Sequence, residues 1–300
     1  MSTVVALGGN ALVRPGERGT AAEQLANLRR AVTALRPLLA QSVGLAITHG
    51  NGPQVGNELL RQERAAAEAP PLPLWLAVAQ TQAEIGALIA AELRPALGER
   101  AVACMLTHVR VPSDDPAFDH PTKPIGPFYS AEQAEALERE RGWALAPDAN
   151  RGHRRVVPSP EPLEIVELDA IRRLVGAGTV TIACGGGGIP VTRSKARLSG
   201  VDAVIDKDRA SALLASELEA ERLIILTEVP AVYRSFGDQD QEEIRELSRA
   251  DAEALLPQLS EGSMRPKIES ALSFAGETLI TSFDALEDAL AGRAGTRVGP

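Results

Sequence analysis

Three short, buried-type strands each run straight into a glycine-bearing turn, and this repeated junction limits the fold more than any other feature of the chain. Val4–Leu7 leads into Gly8-Gly9-Asn10, Gly44–Thr48 into His49-Gly50-Asn51-Gly52-Pro53, and Thr179–Ala183 into Cys184-Gly185-Gly186-Gly187-Gly188. Apolar strands alternating with helical stretches belong to a mostly parallel sheet covered by helices. Thr20-Ala-Ala-Glu23 is a capping box ahead of Leu25, Leu28, Val32 and Leu35, which recur at helical spacing. Residues 54–67, 75–93, 168–175 and 207–218 read as further helices. Ser248 caps another to Leu256, and one more starts near Arg265-Pro266, where proline suits a first turn. Residues 101–107, 222–226, 278–280 and 297–298 read as strands.

From about residue 112 to 162 this rhythm breaks. The stretch is rich in proline, as in Pro121-Thr-Lys-Pro-Ile-Gly-Pro127 and Val157-Pro-Ser-Pro-Glu-Pro162, and one short helix is expected in it, with Ser130 as cap and Gln133 reaching back. A segment so long with little regular structure is a lid, a linker or a functional insertion; the expectation is a protruding subdomain.

Composition removes several function classes. Among 300 residues, 31 basic side chains face 40 acidic ones, for a formal charge of −9. With only 2 Trp, 2 Tyr and 5 Phe, the chain lacks the basic field and the stacking surface that nucleic acid requires. No apolar run is expected to reach the ~18 residues of a membrane span. The first residues carry no basic region of the kind that opens a signal peptide. Two cysteines make no disulfide framework, and Cys104 and Cys184, placed in apolar runs, are expected as small core residues. Histidines 49, 108, 120 and 153 share no metal-ligand spacing; His49, beside a glycine turn, is expected to orient backbone. These features point to a soluble cytosolic protein that handles a small molecule.

Only four of the 31 basic residues are lysine: Lys123, Lys195, Lys207 and Lys267. Lysine is a compact point charge on a flexible stem, suited to following a moving phosphoryl group, whereas arginine is a planar fork. Gly8-Gly9-Asn10, Gly50-Asn51-Gly52, Gly185–Gly188 and Gly262-Ser263 are turns whose main-chain N–H groups can approach an anion, and turns after parallel strands line one crevice. The familiar nucleotide motifs are absent. No Gly-Lys pair exists to make a P-loop, and Gly188 is followed by Ile189-Pro190-Val191 rather than by a helix.

At these residues the sequence resembles the amino acid kinase superfamily and, within it, the carbamate kinases. The pieces that carry the likeness are Val5–Ala11, Thr48–Gly56, Pro121–Ser130, Arg155–Pro160, Ala183–Val191, Gly200–Asp208 and Gly262–Lys267. The resemblance implies a three-layer α/β/α sandwich with a mostly parallel central sheet and a protruding subdomain. It implies one domain over 1–300: an acceptor lobe over about 1–190, with a lid at about 112–162, and a nucleotide lobe over about 191–300. It also implies phosphoryl transfer between ATP and carbamate, giving ADP and carbamoyl phosphate, with Mg²⁺ held mainly by the nucleotide phosphates, in a cytoplasmic homodimer serving arginine catabolism.

Under the same resemblance Lys207, Asp208, Lys267 and Lys123 are catalytic, with Asp208 holding the lysines. Gly8, Gly9, Asn10, Gly50, Asn51, Gly185 and Gly186 bind carbamate and the moving phosphoryl group. Thr227, Glu228, Val229, Tyr233, Met264 and Lys267 bind nucleotide. The chain departs from the family pattern at Glu228, at Pro230, over Arg234–Gln241 and at Arg265, which is expected to face solvent. Two alternatives stand beside this reading: a related kinase acting on another small carboxylate or phosphonate, and a nucleotide-binding regulator without turnover.

Overall fold

The first strand already contains the reason for a layered molecule. Val4 and Ala6 pack into one hydrophobic core while Val5 and Leu7 pack into another, and all four are buried. A strand with both faces buried needs helices on both sides. A computed structural model describes residues 2–14, 16–41, 44–148, 152–259 and 264–299.

Its elements begin with β1 (Ser2–Leu7), α1 (Ala21–Gln41), β2 (Gly44–His49), α2 (Gly52–Ala65), α3 (Leu74–Leu97), β3 (Val102–Cys104) and β4 (His108–Arg110). Then come β5 (Lys123–Tyr129), α4 (Ala131–Arg141), β6 (Leu145–Pro147), β7 (His153–Val157), β8 (Glu164–Ile165), α5 (Leu168–Gly176) and β9 (Val180–Ile182). Next are β10 (Ile189–Ser194), β11 (Arg197–Gly200), α6 (Lys207–Glu217), β12 (Arg222–Thr227), β13 (Val232–Arg234) and β14 (Glu242–Ile244). The last are β15 (Glu246–Ser248), α7 (Arg249–Leu255), α8 (Arg265–Ser273), β16 (Glu277–Ser282), α9 (Leu286–Leu290) and β17 (Thr296–Gly299).

The main sheet has the order β15-β17-β16-β12-β1-β2-β9-β3. From β16 to β3 all neighbours are parallel; β17 pairs antiparallel with β16 and parallel with β15. Residues of α1, α3 and α9 build the core on one face, and residues of α5, α6, α7 and α8 build the core on the other. The three-layer expectation therefore holds. The capping box before α1 is formed, with the Thr20 N–H donating to Glu23 Oε2 at 2.7 Å. Helix α3 has the length and apolarity of a membrane span, more than the sequence reading allowed, yet Ala77, Val78, Ile85, Ile89 and Leu93 are buried in the cores.

Three smaller sheets complete the frame, of which the smallest is the two-stranded antiparallel pair β13-β14. In the sheet β11-β10-β4-β8, strand β10 begins directly after the Gly185–Gly188 turn, so a strand follows those glycines, as Ile189-Pro190-Val191 indicates. The expected strand over 101–107 ends at Cys104, and the chain re-enters pairing at β4 in this second sheet. The third sheet, β5-β7-β6, corrects the reading of 112–162 as largely irregular. Its prolines hid it, and they are tolerable because Pro124, Pro127 and Pro147 all lie on edge strands, whereas central β7 has none. The expected helix inside is α4, and Ser130 and Gln133 form the full capping box.

This third sheet sits on α2. Val55 and Leu59 of α2 share a small core with Ile125 and Val157. Glu63 accepts from Arg141 (2.6 Å) and Arg155 (3.0 Å), and both guanidinium groups lie over the Trp143 ring. The closest approach is at Gly56, where a methyl group would come within 2.1 Å of the Gly126 backbone. Gly56→Ala should therefore lower stability by about 1–3 kcal/mol, the usual range for overpacking. Urea unfolding checks this; an unchanged midpoint would show that the two backbones separate freely.

Candidate active site

Helix α6 opens on Asp206-Lys207-Asp208, and its local chemistry organises the site. Asp206 is the N-cap: its Oδ1 accepts from the N–H groups of Asp208 (2.8 Å) and Arg209 (3.3 Å). Its Oδ2 accepts from the Lys123 ammonium at 2.5 Å, which ties β5 to the start of α6. Asp208 is divided in the same way, with Oδ1 taking the Lys207 ammonium and Oδ2 the Lys267 ammonium at 3.1 Å. Lysines 123, 207 and 267 thus converge, although they are separated by up to 144 positions in the chain.

Asp208 was expected to hold all three lysines. It holds two, and Asp206 holds the third. Only the tertiary structure brings Asp206 out, yet it had a local signal, since an Asp immediately before a helix is a cap.

Burial and charge oppose each other throughout this cluster. Burial pushes the Asp206 carboxyl up, but Lys123, backed by Lys207 and Lys267, overrides it and holds the group far below the ordinary carboxylate range. Asp208 is likewise raised by burial and lowered overall by Lys207 and Lys267. Burial lowers Lys207, with Asp208 pulling the other way and Lys267 adding to the drop. Lys267 ends above its ordinary value despite burial because Asp208, Asp206 and Glu228 all favour its ammonium. Three cations and two anions leave one positive charge at the N-terminus of an 11-residue helix, where the peptide dipoles add more. Such a place suits a phosphoryl group.

The glycine turns close around these lysines. A methyl on Gly50 would lie 3.3 Å from Lys207 Cδ, so the lysine stem crosses directly over that residue. Asn51 stands before α2; its side chain is buried and donates to Thr81 Oγ1 at 3.0 Å. Gly186 has φ +65°, and a methyl there would strike the Asn51 amide at 2.3 Å, so both conformation and space demand glycine. Gly185 is covered by His49 and by Gln82, which donates to its carbonyl at 2.8 Å. Gly185 and Gly186 are buried and form the floor beneath Asn51.

Gly8 ends β1 against the Leu226 carbonyl of β12, and Gly9 and Asn10 follow in a single 3-10 turn. The Gly262-Ser263 turn lies outside the described residues. The hydroxyl of Ser211 donates to the Lys207 carbonyl at 2.5 Å, so its 2.6 Å contact with Thr48 has the Thr48 hydroxyl as donor. That pair fastens the first turn of α6 to the end of β2. Gln82, Thr81 and Ser211 carry no motif signal and emerge only from packing.

Of the residues expected to bind nucleotide, Thr227 ends β12 beside Gly8, Glu228 is exposed, and Val229 is partly buried. Tyr233 in β13 is partly buried and stacks obliquely on Phe236, with ring centroids 5.8 Å apart. Met264 is the residue before α8 and packs against the core on that face. The charge of Glu228 acts on Lys267.

Other expectations need correction. Arg265 does not simply face solvent: it is partly buried and donates to Glu269 at 3.1 Å. Cys184 is buried in a left-handed turn, but Cys104 is exposed, because β3 is the edge of the main sheet. Lys195, read from sequence as surface, is exposed between β10 and β11.

A model of the amino acid kinase family matches residues 1–282. The carbamate kinase of Halobacterium salinarum is 45% identical, the alignment spanning 99% of this chain and 98% of that protein. The carbamate kinase of Trichomonas vaginalis is 41% identical over 100% of both chains. The chain belongs to the carbamate kinases of the amino acid kinase family. Among solved structures, carbamate kinase from Giardia lamblia bound to AMP-PNP superposes with a TM-score of 0.89 at 37% identity, covering 99% of this chain and 98% of that one. UMP kinase from Bacillus anthracis, at 13% identity and a TM-score of 0.53, shares the fold alone. In this carbamate kinase family member the lysine-bearing insertion and the Asp206–Asp208 hub are both present.

His49 provides a measurable consequence of this packing. Its Nδ1 meets the Gly50 carbonyl at 3.0 Å and therefore carries the proton. Burial pushes its pKa down to about 4, against a smaller upward pull from that carbonyl. Between about pH 6.5 and 4 the unfolded chain binds a proton that the folded chain refuses, so this contribution to stability falls as pH drops through that window and is constant above it. His49→Gln should remove the effect. Relative to the unmodified protein, its unfolding free energy should improve by about 2–3 kcal/mol between pH 7.5 and 4.5, as roughly two pKa units imply. Parallel urea series at the two pH values decide it, and identical pH dependence of both proteins would refute the assignment.

Proposed function

We propose that the chain transfers the terminal phosphoryl group of ATP to carbamate and, in reverse, forms ATP from carbamoyl phosphate and ADP. The observation that carries this reading is the meeting of Lys123, Lys207 and Lys267 on two buried carboxylates beside Gly50. Carbamate is already an anion with a nucleophilic oxygen, so the site requires no general base. Phosphoryl transfer asks for in-line positioning and neutralisation of charge spread over three oxygens. Lys207 and Lys267 supply that neutralisation, and Lys123 reaches in from the insertion. Gly8, Gly9, Asn10, Gly50 and Asn51 hold carbamate and the moving group over a floor of Gly185 and Gly186. Thr227, Glu228, Val229, Tyr233 and Met264 take the nucleotide.

The four oxygens of Asp206 and Asp208 already accept from ammonium or main-chain N–H groups, and no group of three or more metal-binding side chains occurs among the described residues. This donor set fits Mg²⁺ carried by the nucleotide phosphates, where it would neutralise their charge. In this reading residues 1–190 form the acceptor lobe, 191–300 the nucleotide lobe, and 112–162 the lid. The exposed Cys104 and Leu106 at the β3 edge support pairing of two copies. Two free cysteines fit a reducing cytoplasm. Arginine and nitrogen catabolism is the setting we assign to the reaction.

Purified protein given ADP, Mg²⁺ and carbamoyl phosphate should form ATP. Folded protein that forms none, yet binds ATP in a calorimeter, would instead be a regulator. Faster turnover with another small carboxylate or phosphonate would move the substrate assignment. Lys207→Ala or Lys267→Ala should lower kcat by ~10²-fold or more, the scale of losing a transition-state charge partner; a variant with full turnover would exclude its residue from that role.

A further inference from the structure

The insertion's backbone is located by packing, since Gly126 rests on Gly56 and the Pro124 carbonyl lies near Gly52. Packing of this kind stops at the backbone. The Lys123 ammonium hangs on four rotatable bonds at the first residue of β5, and about a quarter of the side chain is exposed. Such a stem wanders unless its tip is held. Among the described residues, the hydrogen-bond partner of that tip is Asp206 Oδ2. The other oxygen of the same carboxylate caps the helix that carries Lys207 and Asp208.

We propose that Asp206 is a positioning residue for phosphoryl transfer: one carboxylate registers the lid lysine against the helix bearing Lys207, so that three ammonium groups meet a single phosphoryl unit. The inference rests on the function proposed above. An ammonium has three N–H donors, so Asp206 occupies one of those on Lys123 and leaves two for phosphoryl oxygens. Asp206 acts through Lys123 and needs no contact with substrate.

The test uses Asp206→Asn, because Asn caps a helix about as well as Asp while removing the charge that holds Lys123. In the ATP-forming assay its kcat should fall by ~10-fold or more while KM for carbamoyl phosphate changes by less than ~3-fold, the pattern of an interaction made in the transition state. Lys123→Met should cost at least as much. Adding Asp206→Asn to it should cost less than ~2-fold more, since the carboxylate then has nothing to position. Asp206→Glu keeps the charge and weakens the cap; it should melt at lower temperature yet turn over faster than Asp206→Asn, a result that remains informative if the Asn variant folds poorly. Full kcat in Asp206→Asn, multiplicative losses in the double variant, or a Glu variant slower than the Asn variant would each overturn the proposal. An unmodified protein that forms no ATP would overturn the proposed function itself, which keeps the two failures distinct.

Discussion

The sharing of three ammonium groups between two buried carboxylates at the start of α6 is the interaction on which the site depends. Removing one partner from a buried ion pair typically costs about 3–5 kcal/mol, because the charge left behind is neither hydrated nor paired. Here the sharing is one oxygen at a time: Asp206 joins a helix cap to Lys123, and Asp208 joins Lys207 to Lys267. In the proposed reaction an arriving phosphoryl group meets cations whose places are set in advance, and little reorganisation remains for the transfer itself.

The fold delivers that hub through its strand ends. β1 and β2 are adjacent parallel strands at the centre of the main sheet, so Gly8 and Gly50 emerge at the same edge. Thr48 and Ser211 fasten α6 to the end of β2, and Gln82 bridges the Gly185 carbonyl and the N–H of Thr107. The third sheet then leans on α2 and brings Lys123 from the far side. Ligand binding beyond the carboxyl ends of strands is general for such sheets; what is particular here is a separate small sheet that contributes one of the cations.

Around the hub the chain adds charge of its own. Arg209, next to Asp208, donates to Glu161 (3.0 Å) in the arm leaving the third sheet and to Glu269 (3.2 Å) on the helix of Lys267. Arg265 shares Glu269. Glu228, one of the departures from the family pattern, raises the pKa of Lys267 along with the two aspartates. The lysines are therefore ringed by a further set of carboxylates and guanidinium groups.

Much of this was legible in the residues alone. Strand–glycine junctions and capping boxes are local, so the mostly parallel sheet, the cap of α4 and the three lysines could be read directly. The small sheet of the insertion was obscured because edge strands accept the very prolines that ordinarily argue against a strand. The exposure of Cys104 depends on which strand ends the sheet, and no run of apolar residues records that. Asp206 looked like one more acid beside a helix. Its role came into view only when folding carried Lys123 across 83 positions to its second oxygen, since a pairing between distant residues is written in the packing of backbones and not in any local pattern.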